Sequence, residues 1–148
     1  MRIQFLTLGC TSTLRNGKNF TKCWGDDVQL DYRSLFGGSV QTMHRTEVIS
    51  TWKSLLGSLR ATQHLIANML VTVSGNNLAT CAANVRAVHV RPNNMGDSLW
   101  IVGGRYDFKL SKVEGKWKIS GIKLTTQWTS GNPQVLSQQS SSSSQHDQ

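Results

Sequence analysis

Two histidines, His64 and His89, lie on consecutive strand-like runs, Ala61–Ser74 and Leu78–Pro92, which the turn signal Gly75-Asn76-Asn77 joins. An antiparallel hairpin built from these runs and curved around a cavity brings both imidazoles to one pocket. Imidazole is the side chain best matched to moving protons near neutrality, so the pair points to acid–base chemistry on a small ligand. A lone histidine on an apolar face is more often a satisfied core or rim residue, and it is the pairing that gives the chemical reading its weight. Tyr32 and Tyr106 add two phenols on strand patterns, either as hydrogen-bond donors to a ligand or as amphipathic core residues. Asn68 and Asn84 are polar positions on the presumed hairpin; they either line the pocket or pair with one another.

The elements that must hold these residues can be read from periodicity. Leu14–Gly25 reads as a short helix with Phe20 and Trp24 on one side, and Asp27–Tyr32 alternates as a half-buried strand before Phe36-Gly37-Gly38 turns the chain. Val48, Ile49, Trp52, Leu55 and Leu56 make Thr46–Leu56 an amphipathic helix, with Thr46 at its start and Gly57 at its end. From Leu99 onward the even positions Trp100, Val102, Gly104, Tyr106, Phe108 and Leu110 form one face of a long strand, and a turn at Val113–Lys116 returns the chain through Trp117–Trp128. In that last run the apolar set moves from Trp117 and Ile119 to Ile122 and Leu124, which predicts a bulge at Gly121. Helices early and long antiparallel strands late imply an α+β domain, a curved sheet wrapped over helices.

A chain of 148 residues fits one domain with a core and a cavity. We expect that domain to span residues 1–133, with an atypical amino terminus over 1–12, and the Ser- and Gln-rich segment 134–148 to be disordered, because its composition cannot offset ordering entropy. The net charge of +8 is spread along strands at near-alternating positions and accompanies no nucleic-acid-binding signature, so it reads as solvated faces or a basic rim. No apolar run approaches the roughly 20 residues that cross a bilayer. Cys10, Cys23 and Cys81 are odd in number and lack metal-like spacing, which suggests reduced thiols, a cytoplasmic location and no metal site.

Asp31-Tyr32-Arg33-Ser34-Leu35, Thr62-Gln63-His64, His89, Glu114-Gly115-Lys116-Trp117-Lys118-Ile119 and Gln127-Trp128 occur in this order, with the two histidines twenty-five positions apart. In these features the chain resembles the scytalone dehydratase and SnoaL-like branch of the nuclear transport factor 2-like superfamily, from about Ser12 to Trp128. The resemblance implies a cone-shaped, mostly antiparallel sheet of the cystatin-like α+β barrel kind, enclosing a pocket. It further implies a lyase or isomerase without metal or organic cofactor, acting on a small cyclic hydrophobic molecule of polyketide or terpenoid type, in a homo-oligomer; the spread of charge and the hydropathy leave neither nucleic acid nor membrane as an expected partner. His64 matches the histidine that serves that branch as base and then acid, His89 the second histidine, and Tyr32 a tyrosine that polarises the substrate carbonyl through water. Tyr106 falls where the branch places an asparagine. Tyr106, Trp100, Asn68, Phe108 and Thr13 are the candidate substrate contacts, and Thr13 stands where the branch has its catalytic aspartate. That departure leaves room for a second reading, a non-catalytic member that binds a hydrophobic ligand or a protein partner with the same cone.

Overall fold

The computed structural model describes residues 21–92 and 96–137. The chain runs through β1 (Trp24–Asp31), α1 (Arg33–Phe36), β2 (Gln41–His44), α2 (Arg45–Gly57), β3 (Ala61–Ser74), β4 (Leu78–Val90), β5 (Leu99–Val113), β6 (Lys116–Gly131) and a 3₁₀ turn at Pro133–Val135. The strands form one six-stranded sheet in the order β2-β1-β6-β5-β4-β3, with β1 parallel to β6 and every other pairing antiparallel. The α+β expectation holds, as do the hairpin and the long strand pair. The expected helix over Leu14–Gly25 falls largely outside the described residues; of those described, Thr21 is helical, whereas Trp24 and Gly25 already belong to β1.

Strict alternation explains why one face of the sheet becomes the core. In β4 the odd positions Ala79, Cys81, Ala83, Val85, Ala87 and His89 are buried while Thr80, Asn84 and Arg86 are exposed, and β5 continues the layer with Trp100, Val102, Tyr106, Phe108 and Leu110. Small residues along β4 let the sheet close down on α2, which buries Val48, Ile49 and Leu56. The helix begins one residue earlier than predicted: His44 is the N-cap, its Nδ1 accepting from the Thr46 amide.

Register shifts interrupt the sheet at four places, one between Trp24 and Gln29 where β1 runs beside β6 and three along β3–β6. Lys109 pairs with Gly121 but Leu110 with Ile119, so Ser120 is the extra residue of the predicted bulge. A second shift, between Gly103 paired with Trp128 and Gly104 paired with Thr126, leaves Gln127 extra and was not foreseen. The third lies in β3 between Ala67 and Leu70, where Asn68 takes a left-handed conformation with φ of 53°.

Two expectations need correction. Val135 is fully buried and Leu136 is 8% exposed, so ordered chain extends past residue 133; the apolar pair overrides the polar composition around it, and residues 138–148 lie outside the described set. Cys23 is disulfide-bonded, whereas Cys81 is a free, buried thiol, so the expectation of three reduced cysteines fails and takes with it the ground for a reducing compartment. Among the described residues no helix is long and apolar enough to cross a membrane.

Gly104 supports the second bulge because a Cβ there would run into the Thr125 carbonyl oxygen and crowd the Thr126 backbone. Gly104→Ala should therefore destabilise the protein by roughly 1–3 kcal/mol, read as a lower denaturant midpoint with an unchanged m-value.

Candidate active site

The residues most able to do chemistry converge where α1 and α2 cover the β3–β6 face. Asp31 accepts from the Arg33 amide and forms a two-pronged ion pair with its guanidinium at 2.9 Å, which holds its carboxyl below the usual range and turns the chain after β1. The carbonyl of Tyr32, next in the chain, accepts the amides of Leu35 and Phe36. Ser34 fastens this short helix to β6, donating to the Leu124 carbonyl at 2.6 Å and accepting the Thr126 amide at 2.9 Å. Tyr32 is thereby held against Trp52 of α2 in an edge-on contact, ring centres 5.6 Å apart.

His64 and His89 reach the same space from adjacent strands. Their rings meet edge to face with centres 5.6 Å apart. His89 is buried and its Nδ1 lies 3.1 Å from the Trp100 carbonyl oxygen, which can only accept, so Nδ1 carries the proton and Nε2 keeps its lone pair. Nε2 of His64 is buried and finds no hydrogen-bond partner among the described residues. Burial, and then the neighbouring His89, push the His64 pKa down to about 4. Burial lowers His89 too, with the Trp100 hydrogen bond acting the other way. Tyr32 and Tyr106 lie side by side on the cavity wall, and burial lifts both phenols above their ordinary range, Tyr32 the further.

His64, His89, Tyr32 and Tyr106 line one cavity of about 30 Å³, walled by apolar side chains that include Trp52, Leu55 and Leu136. That is room for a water molecule or two, against roughly 300–1,000 Å³ for an ordinary ligand pocket. No carboxylate is among its described walls: Asp26 is 81% exposed and paired with Arg45, and Asp31 is committed to Arg33.

Four of the eight residues singled out in the sequence thus come together. Trp100 is buried behind His89, their rings 5.5 Å apart, and offers the site its carbonyl, not its indole. Phe108 packs on Tyr106 one step further along β5 and does not line the cavity. Asn68 is exposed in the β3 bulge, which turns it away from the pocket, and Asn84 is exposed on the outer face. Thr13 lies outside the described residues. The apolar walls escaped the sequence reading because they look like any core; for Leu136 the signal was an apolar pair, Val135-Leu136, just after Pro133 in an otherwise polar run.

A profile of the SnoaL-like domain matches residues 15–123. The chain belongs to the SnoaL-like domain family. It is 25% identical over 122 residues to a "Scytalone dehydratase-like protein" of Claviceps purpurea, covering 78% of this chain and 77% of that one. Among solved structures it superposes on a protein from Kribbella flavida with a TM-score of 0.74 at 24% identity, over 85% of both chains. A hexachlorocyclohexane dehydrochlorinase from Novosphingobium barchaimii superposes with a TM-score of 0.67 at 12% identity, over 88% of both chains. These superpositions show a shared fold, as does that on a protein from Nostoc punctiforme with a cystatin-like fold (TM-score 0.62 at 14% identity, over 84% of this chain and 87% of that one); here the curved sheet is left open between β2 and β3.

The lowered His64 pKa has a consequence for stability. Unfolded, the ring takes a proton near pH 6.5; folded, it does so only near pH 4, so within that window the unfolded chain holds the extra proton. The contribution is fully present above about pH 6.5 and is lost as pH falls towards 4, amounting to about 3 kcal/mol at one pKa unit per 1.4 kcal/mol. His64→Gln should flatten the stability–pH profile between those limits, and the His64 ring resonances of the native protein should not titrate above about pH 5.

Proposed function

We propose that this SnoaL-like protein is a cofactor-independent lyase or isomerase that moves protons on a small cyclic carbonyl compound, with His64 as the transferring base. The observation that carries the reading is the meeting of two neutral imidazoles and a phenol pair in one apolar cavity. In the dehydration version, His64 Nε2 takes the proton from the carbon beside the carbonyl and the C–H electron pair becomes an enolate. The enolate reforms its carbonyl as the neighbouring C–O bond breaks, and the proton on His64 passes to the departing oxygen to give water. Tyr106 and Tyr32 supply donors for the enolate oxygen, and His89, fixed as the Nδ1–H tautomer, presents its Nε2 lone pair towards the site. A similarity to a scytalone dehydratase-like protein supports the dehydration version; the dehydrochlorinase with the same fold supports elimination more broadly.

Exposed apolar residues on the outer sheet face, Leu65, Leu70 and Trp128 among them, are consistent with a homo-oligomer as part of this reading. The second reading, a binder without turnover, is favoured by one observation: no described carboxylate stands ready to stabilise an imidazolium.

A bicyclic β-hydroxyketone whose dehydration gives an absorbing enone separates the two. His64→Gln should lower its turnover by about 10²–10⁴-fold with the fold retained by circular dichroism. Turnover at the native rate in the variant would remove His64 from its role, and binding without any turnover in the native protein would favour the binder.

A further inference from the structure

The cavity is too small for the ligands its chemistry would suit, and one of its walls, Leu136, comes from the short segment that follows the last strand. β6 ends at Gly131, where φ is +90° and a Cβ would collide with the Leu99 carbonyl, so the chain makes a sharp turn that only glycine accommodates. Asn132 then anchors the next segment twice, its amide donating to the Leu99 carbonyl at 2.8 Å and its side-chain amide to the Asp97 carbonyl at 3.1 Å. Its carboxamide oxygen accepts from Gln134 and caps the 3₁₀ turn. Beyond the turn, Val135 and Leu136 drop into the core, and Leu136 reaches the cavity that holds His64 and His89.

Beyond Asn132 the segment is held by the burial of Val135 and Leu136 and by few hydrogen bonds to the rest of the protein. The backbone bonds of Val135, Leu136 and Ser137 all run to carbonyls within the segment, at Asn132, Pro133 and Gln134. Among the described residues, the side-chain hydrogen bond that reaches this stretch from outside it is that of Arg91, just past β4, whose Nη1 donates to the Ser137 carbonyl at 2.9 Å on the exposed surface. A turn that satisfies its own backbone can lift as a unit, since no ladder hydrogen bonds of the sheet break when it leaves.

We infer that Gly131–Ser137 is an autoinhibitory strap: Leu136 occupies ligand space in the site, the strap swings out at Gly131–Asn132, and Arg91 is its latch. The inference rests on the same cavity being the ligand site, as proposed above, but not on any turnover there. A ligand ring and the Leu136 side chain compete for one volume, so apparent affinity is reduced by the fraction of molecules in which the strap is closed.

Hydrogen exchange on the full chain, native and Arg91→Met, tests the strap without any ligand. The amides of Val135, Leu136 and Ser137 should exchange about 100-fold or more faster than those of Tyr106 and Leu124 in the sheet. Arg91→Met should speed the strap amides further and leave the sheet amides unchanged. Titration with 2-naphthol, a neutral bicyclic fluorophore, tests the competition: Leu136→Ala should bind it about tenfold more tightly than the native protein, and bound 2-naphthol should accelerate exchange at the strap amides of the native protein. Strap amides as protected as the sheet in both proteins would overturn the inference, as would equal or weaker 2-naphthol binding by Leu136→Ala. If 2-naphthol binds neither protein, the exchange comparison alone decides. Because neither readout involves chemistry, a failure of His64-dependent turnover would leave this result standing.

Discussion

Taking two imidazoles out of water with no described counter-charge beside them is the constraint on which the rest of this structure turns. A buried charged imidazole without a partner is costly, so both rings are held neutral and each pKa falls. Neutrality then demands a defined tautomer, and β5 provides it: His89 faces Trp100 directly in the ladder, whose carbonyl fixes the Nδ1 proton. Small residues along β4 and the aromatic layer of β5 serve the same end by excluding water from one face of the sheet.

A flat sheet could not bring four strands and two helices around so small a space. The bulges at Ser120 and Gln127 in β6, and the break at Asn68 in β3, each add a residue to one strand of a pair and force the local bend. Glycines stand where the bent strands press together: Gly103 lies under the Trp128 indole, and Gly104 against the Thr125 carbonyl. Curvature sets the pocket, because it lets β3 and β6 approach the same helices from opposite sides. The Ser34 clamp on Leu124 and Thr126 sits just beside the second bulge and places Tyr32 over the cavity.

Much of this was legible because its causes are local. Period-two alternation named the inward face of β5 residue by residue, and the shift in the apolar set revealed the bulge beside Gly121. The Gly75-Asn76-Asn77 turn fixed the hairpin register and, with it, the meeting of His64 and His89. What escaped depended on distant parts of the chain. Asn68 reads as a strand position pointing inward, and only the bulge turns it out. Trp100 reads either as core packing or as a ligand contact; it is core, and its use to the site is a carbonyl that sequence cannot distinguish from any other. Leu136 was hidden by its neighbours, since composition averages over a window and burial does not. Cysteine count likewise says nothing about distance, and it gave no sign of the Cys23 disulfide.

The protonation behaviour of the site bears on which reaction suits it. An imidazole whose conjugate acid has a pKa of about 4 accepts a proton reluctantly and surrenders it readily, so an imidazolium here is a short-lived species. Under the proposed reading, that favours reactions which return the proton to the substrate or its leaving group within the same turnover, as in dehydration or a double-bond shift. An elimination that expels halide leaves the proton on the base, which must then hold it until solvent takes it away. Holding it requires a nearby negative charge, and the described cavity walls bring none. A wet, open strap would ease that burden by raising the local dielectric, whereas a closed one deepens it. Under the proposed reading, the same apolar plug that narrows the resting site also keeps its imidazoles neutral, and admission of a ligand is coupled to the state in which a proton can be exchanged with solvent.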